Sequence, residues 1–168
     1  LSKINFHKIY SSPLLRAAET AKTINKSFNQ KQDILFDKNL LEVDLSEWSG
    51  IKIDEIKNKF PEIYPIWKND PENLILKRSD GKTYKPIKEL FDQANDFIND
   101  ILKIYLDKDD VNVLVVGHNA ILRCLILLFL GKPNQGFRKI RLENASFSIL
   151  NISSNGKSYK TQIECLNQ

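Results

Sequence analysis

Apolar positions follow two different periods along this chain, one typical of strands and one typical of helices. Residues 8–11 and the nearly continuous apolar run at residues 111–116 predict strands, the second buried on both faces as in a parallel sheet. Between them, apolar residues at a 3-4-3 spacing predict an amphipathic helix over residues 87–105. Strands that alternate with helices predict an α/β fold with a mostly parallel sheet and helices on both faces.

Capping residues and prolines mark the elements of the first half. Ser12 and Pro13 predict a helix with Ser12 as its N-cap and Pro13 at its first position. A second strand is predicted over residues 34–41, and a short helix over residues 53–60. Residues 65–86 show no clear period, which predicts an irregular lid or a loosely packed insertion.

The second half predicts one more helix and a terminal hairpin. Residues 120–130 form an apolar helix directly after the buried strand. Residues 146–152 and 159–166 read as strands, and they flank Asn155-Gly156, a strong signal for a tight hairpin turn.

Length and composition favour a single globular domain. The chain has 168 residues, of which 42% are hydrophobic and 27% charged. Two distant cysteines offer neither a disulfide framework nor a zinc pattern, so a reducing, cytoplasmic location is expected. The chain starts at Leu1 and contains no methionine, which predicts a fragment or a processed chain.

The distribution of charge and apolar residues excludes two classes of partner. The net charge of +4 comes from dispersed lysines, without the concentrated arginine-rich stripe of a nucleic-acid-binding surface. The longest apolar run, at residues 124–130, is far shorter than the about 20 residues of a membrane span. We therefore expect neither nucleic acid nor a membrane as partner, while the positive field favours an anionic substrate.

Three polar residues follow the ends of predicted strands, where ligands of open α/β sheets bind. Arg16 lies in the first turn of a predicted helix, where a positive charge opposes the helix dipole. It is a candidate phosphate ligand, because a bound phosphate would neutralise that charge. The alternative is a solvated surface arginine. Glu42 leaves the core and is a candidate proton donor, or an ordinary loop carboxylate like Asp44 and Glu47. His118 follows the most buried strand, as a catalytic or a structural histidine.

Together these side chains indicate phosphate-ester chemistry without a metal, since arginine and histidine hold a phosphoryl group and glutamate protonates a leaving oxygen. A nucleophile is not evident. Ser11 and Ser12 are candidates by residue type, whereas Cys124 lies in an apolar helix and is expected to be buried and inert. His7 is expected at the surface.

Four segments resemble motifs of the histidine phosphatase superfamily, the phosphoglycerate mutase-like family. Residues 9–21 (IYSSPLLRAAETA) resemble its strand-to-helix motif with a phosphate-binding arginine, and residues 41–50 resemble its glutamate motif. Residues 113–123, with Gly117-His118-Asn119, resemble its second-histidine motif, and residues 144–146 resemble its final turn. The resemblance implies a three-layer α/β/α sandwich.

The main departure from the family is the absence of an Arg-His-Gly sequence, whose histidine is the family's nucleophile. The resemblance therefore implies one domain over residues 1–168 that is truncated at its N-terminus and lacks the first strand. The family places that strand in the middle of the sheet, beside residues 111–116. A cut at the C-terminus is also considered, because Gln168 follows a strand directly. Smaller departures are Ser46 and Ser49, where the family often has glycine and glutamate.

The resemblance implies a phosphatase that hydrolyses a small phosphorylated metabolite through a phosphohistidine, without metal or cofactor. Glu42 and His118 are the implied catalytic residues, and Arg16, His118 and Asn119 the implied phosphate ligands. One alternative is phosphoglycerate mutase-type phosphoryl transfer, which the short spacing from Glu42 to His118 disfavours. Another is a non-catalytic phosphate-binding module, because the chain as given lacks the nucleophile and is expected to be inactive.

The resemblance implies that an insertion, here at about residues 61–86, contributes to substrate specificity. The basic residues of this insertion that could contact an acidic substrate are Lys77, Arg78, Lys82 and Lys85. The alternative for each is an ordinary solvated charge.

Overall fold

The structure is a computed structural model that describes residues 4–154 and 158–168. The strands of this part are β1 (Lys8–Ser11), β2 (Ile34–Phe36), β3 (Leu76–Lys77), β4 (Thr83–Tyr84), β5 (Val113–Val116), β6 (Ile149–Ser154) and β7 (Tyr159–Cys165). The helices are α1 (Leu15–Lys26), α2 (Ile53–Lys59), α3 (Tyr64–Asn69), α4 (Pro86–Tyr105) and α5 (Asn119–Phe129). Among these described helices, none combines the length and apolarity that crossing a bilayer requires.

A parallel sheet in the order β2-β1-β5 forms the centre of the fold. The register places Ile9 of β1 beside Ile34 on one side and Leu114 on the other. The predicted α/β class with a parallel sheet is therefore confirmed. Parallel pairing brings the carboxyl ends of all three strands to one edge, which is where the candidate residues lie.

Helices cover both faces of this sheet because successive side chains of a strand point to opposite faces. Ile9 and Leu114 pack on one face with Ala21 of α1. Tyr10 points to the other face, where its ring meets Phe97 of α4 edge-on, with 5.6 Å between the ring centroids. Helices α4 and α5 share that second core. The three-layer arrangement predicted from the sequence is thus present.

Residues 65–86 are more ordered than the sequence predicts, and the prediction of an irregular stretch is wrong. They contain most of α3, a 3-10 turn at Pro71–Asn73 and the short β3–β4 hairpin. Leu74, Leu76 and Tyr84 form a separate small core with Trp48 and Ile56. Each of these elements is too short to show a helical or strand period of apolar residues in the sequence. Their order becomes visible only in the structure, where their side chains are buried together.

Helix α1 begins at Leu15, later than predicted, and Ser12 is not its N-cap. The Ser12 hydroxyl oxygen instead accepts a hydrogen bond from the Leu14 N–H at 3.3 Å, which forms a turn ahead of the helix. This turn leaves Ser12 fully buried at the end of β1.

Strand β2 ends at Phe36, five residues before its predicted end. Asp37 stops it, because its side chain accepts the Asn39 N–H at 2.8 Å and caps a 3-10 turn at Lys38–Leu40. Strand β5 likewise begins two residues later than predicted.

The C-terminal strands β6 and β7 pair with each other antiparallel, as predicted, although β6 begins at Ile149 rather than at residue 146. The Asn155-Gly156 turn lies outside the described residues. In the described part of the chain, β5 has a strand neighbour only in β1, and β6 only in β7. One backbone edge of β5 and one of β6 are therefore free of strand partners there.

Phe91 tests how far the core beneath the site supports the fold. Its side chain is only 2% exposed within the core that α4 and α5 share. We expect Phe91→Ala to lower the free energy of unfolding by about 3–5 kcal/mol in urea denaturation, because it leaves a cavity. Leu15→Ala, at a side chain that is 74% exposed, is the control. Equal losses for the two variants would contradict this view of the core.

Candidate active site

His118 lies at the turn between β5 and α5, where it is the N-cap residue of the helix and is buried. Its Nε2 atom lies 2.8 Å from the hydroxyl oxygen of Ser12. The two residues meet because β1 and β5 are parallel neighbours with Ser11 beside Val116. A backbone hydrogen bond from the Ser12 N–H to the Val116 carbonyl, at 2.9 Å, extends the pairing to the site.

The environment of His118 favours its neutral form. Burial lowers the pKa of the imidazole below its usual 6.5, and the positive charge of Arg16 lowers it further, while Glu42 opposes both effects. The neutral form of the imidazole therefore predominates at pH 7 in the absence of an anion. A phosphate dianion beside it would favour the protonated form.

Glu42 reaches the same place from the loop that follows β2. Its Oε1 atom accepts hydrogen bonds from the Val43 N–H at 2.9 Å and from the Ala120 N–H at 3.2 Å. Ala120 lies in the first turn of α5, so these bonds hold the Glu42 carboxyl group at the N-terminus of that helix. Gln93 holds the backbone of the loop just before Glu42, because its side-chain amide donates to the carbonyl oxygen of Leu41 at 3.0 Å.

Arg16 occupies the first turn of α1, as predicted, and is exposed. Its charge acts on His118, since it lowers the pKa of that imidazole. Among the described residues, no hydrogen bond or ion pair engages its guanidinium group. The side chain is therefore available to an anion from the solvent side of the site.

The remaining sequence candidates have more local surroundings. The side-chain amide of Asn119 donates to the Leu142 carbonyl at 2.8 Å, which ties α5 to the segment before β6. His7 is exposed at the opposite end of β1, and its Nδ1 accepts the Asn112 N–H at 3.1 Å. Cys124 is fully buried, as expected, and burial raises the pKa of its thiol, which disfavours the reactive thiolate.

The basic residues of the insertion have mostly local roles. Arg78 donates two hydrogen bonds to the carboxylate of Glu89, at 2.6 and 3.2 Å, and stacks 3.9 Å above the ring of Tyr84. Lys82 pairs with Asp80 at 3.5 Å. These contacts favour the interpretation that Arg78 and Lys82 are ordinary surface charges over the interpretation that they contact an acidic substrate.

An open cleft of about 330 Å³ adjoins Glu42 and Asn119. Arg123 and Arg138 line it, together with Phe137. The sequence analysis missed both arginines. Arg123 lies four residues after Asn119, one helical turn along α5, which is a signal that spacing offers. Arg138 follows α5 in a separate 3-10 turn, and no local pattern connects it to the site.

The model of the histidine phosphatase superfamily (branch 1) matches residues 1–164. This chain belongs to that superfamily. It is 31% identical over 164 residues to a probable 2-carboxy-D-arabinitol-1-phosphatase of Arabidopsis thaliana, which covers 98% of this chain and 32% of the plant protein. It is 25% identical to phosphoserine phosphatase 1 of Hydrogenobacter thermophilus, over 90% of this chain and 67% of the relative. The chain thus spans about a third of the first relative and two thirds of the second.

Solved structures agree on the fold. The alpha-ribazole phosphatase of Shigella flexneri superposes with a TM-score of 0.80 at 21% identity, covering 100% of this chain and 76% of that one. A protein of Bacillus stearothermophilus gives the same TM-score at 22% identity, covering 98% and 76%. The phosphoglycerate mutase-like fold expected from the four motifs is therefore confirmed.

Ser46 departs from the superfamily's glutamate motif at a position with a backbone constraint. It has a φ of +51°, in the left-handed region that favours glycine. Its N–H donates to the Asp44 carboxylate at 2.7 Å, and its hydroxyl donates to the Lys77 carbonyl at 3.1 Å. These two bonds hold the serine in a conformation that the glycine of the motif adopts without strain.

The titration of His118 tests the electrostatics of the site. We expect NMR of the imidazole to show a pKa below 6.5 in the free protein and a higher pKa when inorganic phosphate is added, because the anion stabilises the charged ring. Arg16→Ala should raise the pKa of the free protein and weaken the response to phosphate. Lys22→Ala, on the same helix, is the control. If added phosphate leaves the pKa of His118 unchanged, the anion does not bind beside this imidazole.

Proposed function

We propose that this protein is a phosphatase that hydrolyses a small-molecule phosphate monoester through a phosphohistidine. The observation that carries the proposal is the meeting of Glu42 and His118 at the N-terminus of α5, with the charge of Arg16 acting on the same point. Relatives named as phosphatases of 2-carboxy-D-arabinitol 1-phosphate and of phosphoserine support it. The proposed substrate is a small phosphorylated metabolite, and the proposed location is the cytoplasm.

Four residues have proposed roles in holding or cleaving the ester. Arg16 and His118 bind the phosphoryl oxygens, and Asn119 contributes its position at the start of α5, where helix N–H groups favour an anion. Binding of the dianion draws a proton onto His118, which strengthens its hydrogen bond to the phosphoryl oxygen. Glu42 lies beside this point and supplies the proton that the leaving alcohol needs.

The nucleophile is proposed to be a histidine outside residues 1–168. The sequence contains two histidines, and His7 lies at the end of β1 opposite to His118. The free edge of β5 offers a place for the strand that would carry the nucleophile. We thus propose one catalytic domain, of which this chain is a fragment that lacks an N-terminal strand.

The proposed reaction has two steps, transfer of the phosphoryl group to the histidine and hydrolysis of the phosphohistidine. The histidine nitrogen attacks phosphorus, the phosphorus–oxygen ester bond breaks, and the alcohol leaves with the proton from Glu42. Water next attacks phosphorus of the phosphohistidine and gives its proton to the Glu42 carboxylate, and the phosphorus–nitrogen bond breaks. A mutase would instead return the phosphoryl group to an acceptor hydroxyl, so release of inorganic phosphate separates the two activities.

Turnover by the 168-residue chain tests the assignment of the nucleophile. We expect this chain to release no measurable phosphate from p-nitrophenyl phosphate, and a protein extended by the upstream coding sequence to release it. Steady-state release of p-nitrophenol is the measurement. Hydrolysis by the 168-residue chain that His118→Ala abolishes would contradict an external nucleophile.

The dependence on leaving group tests the role of Glu42. In the extended protein, we expect Glu42→Gln to lower kcat about 10²–10⁴-fold for an alkyl phosphate, whose leaving alcohol needs a proton. The loss should be far smaller for p-nitrophenyl phosphate, whose leaving group is stable as an anion. Glu47→Gln, the same change at an exposed carboxylate five residues later, is the control. Equal losses for both substrates would leave Glu42 as a structural cap of α5 only.

A further inference from the structure

The imidazole of His118 has a single hydrogen-bond partner in the described part of the chain, the hydroxyl group of Ser12. The Ser12 oxygen lies 2.8 Å from Nε2, and none of the described residues bonds to Nδ1. Both side chains are buried, that of Ser12 completely. Because the bond made by one ring nitrogen decides which nitrogen carries the proton, this contact sets the tautomer of His118.

The surroundings of the Ser12 hydroxyl group determine the direction of this hydrogen bond. A serine hydroxyl has one proton to donate and two lone pairs that accept. The Leu14 N–H donates to one lone pair at 3.3 Å, and Nε2 of His118 is the only acceptor among the described residues for the hydroxyl proton. Donation from Ser12 to Nε2 satisfies the hydroxyl group. The opposite direction would leave a buried O–H without an acceptor, which native proteins rarely tolerate.

The neutral imidazole that the site favours then takes one tautomer. Burial and the charge of Arg16 lower the pKa of His118 against the opposing effect of Glu42, so the neutral ring predominates. A neutral imidazole has one N–H and one accepting nitrogen. Since Nε2 accepts from Ser12, the proton lies on Nδ1. This N–H is the donor that the ring has left for a ligand.

The other histidine of the sequence has the opposite arrangement. Nδ1 of His7 accepts the backbone N–H of Asn112 at 3.1 Å. A backbone N–H only donates, so the neutral ring of His7 carries its proton on Nε2. The sequence contains two histidines, and the structure thus gives them different tautomers for different local reasons.

We propose that Ser12 is a positioning residue that holds the proton of His118 on Nδ1 and so presents this N–H to a phosphoryl oxygen of the substrate. The inference rests on the proposed phosphatase function and adds a residue to its site. Because Ser12 is fully buried, it acts through His118 rather than on the ester. When the dianion draws a second proton onto the ring, that proton enters at Nε2, and the Ser12 oxygen becomes its acceptor. The bond from Nδ1 to the phosphoryl oxygen is then kept in both charge states.

Long-range proton–nitrogen NMR correlation of the 168-residue chain without ligand tests the tautomer directly. The spectra are recorded in weakly alkaline buffer, where histidine side chains are ordinarily neutral. We expect the nitrogen shifts of His118 to show a protonated Nδ1 and a bare Nε2, and those of His7 to show the reverse. His7→Gln assigns the signals. A proton on Nε2 of His118 in the unmodified chain would overturn the proposal before any variant at Ser12 is made.

Variants then assign the tautomer to the Ser12 hydroxyl group. Ser12→Ala should move the proton of His118 partly or wholly to Nε2, and Ser12→Thr, which keeps a hydroxyl, should hold it on Nδ1. Ser11→Ala is the matched control, because Ser11 is equally buried but donates to the Ser12 carbonyl at 3.0 Å instead of contacting His118. All three variants keep the backbone bond from residue 12 to Val116. An unchanged tautomer in Ser12→Ala would overturn the role of Ser12.

Binding of inorganic phosphate, measured by isothermal titration calorimetry in the same buffer, tests whether the tautomer serves the anion. We expect Ser12→Ala to weaken binding about 2- to 10-fold, the worth of one hydrogen bond, and Ser11→Ala to leave it unchanged. The reason is that a ring with its proton on Nε2 must move that proton or gain a second one before Nδ1 can donate. Equal affinities of Ser12→Ala and the unmodified chain would overturn the presentation of Nδ1 to the anion.

The two measurements separate this inference from the function on which it rests. Failure of inorganic phosphate to bind the unmodified chain would overturn the proposed phosphate site, and with it the presentation of Nδ1. The spectra of the free chain decide the tautomer and its dependence on Ser12 without any ligand. A changed tautomer in Ser12→Ala together with weaker phosphate binding supports the proposal in full.

Discussion

The parallel pairing of β1 with β5 is the constraint on which the site depends. It sets Ser11 beside Val116, so that the next residues of both strands turn away from the sheet at one edge. Ser12 and His118 consequently meet at 2.8 Å, and α1 and α5 begin within the same region. Without this register, Ser12 would not reach His118, and the charge of Arg16 would not act on that imidazole.

In this site the neutral form of the His118 imidazole is favoured, while positively charged arginine side chains lie nearby. Burial and the charge of Arg16 favour the neutral form of His118, and the buried Nε atom of Arg123 has no hydrogen-bond partner among the described residues. Such a site is poised for a dianion, because the ligand supplies the charge that the protein lacks. A hydrogen bond from the Ala120 N–H holds the carboxyl group of Glu42 at the N-terminus of α5.

The free edge of β5 links stability to function. Leu114 and Val116 pack with α1 on one face, while Val113 and Val115 pack with the larger core on the other, so the strand is well supported above and below. Among residues 4–154 and 158–168, no strand pairs with its other side, so a further strand could extend the sheet there. Under the proposed function, the strand that pairs at this edge is the one that carries the nucleophilic histidine.

Sequence alone determined the features that depend on local pattern and short motifs. Three signals predicted the class of fold, the superfamily and the sheet edge at which the site lies. They are the nearly continuous apolar run of β5, the apolar stripe of α4, and the residues around Arg16, Glu42 and His118. Tertiary structure decided what depends on contacts between distant segments. Ser12 does not cap α1 as predicted but contacts His118. Residues 65–86 are ordered because several of their side chains pack into a shared small core. Arg123 and Arg138, from separate segments, both lie near the ring of Phe137. Local propensity is encoded over a few residues, whereas these partners are chosen by packing between segments far apart in the chain.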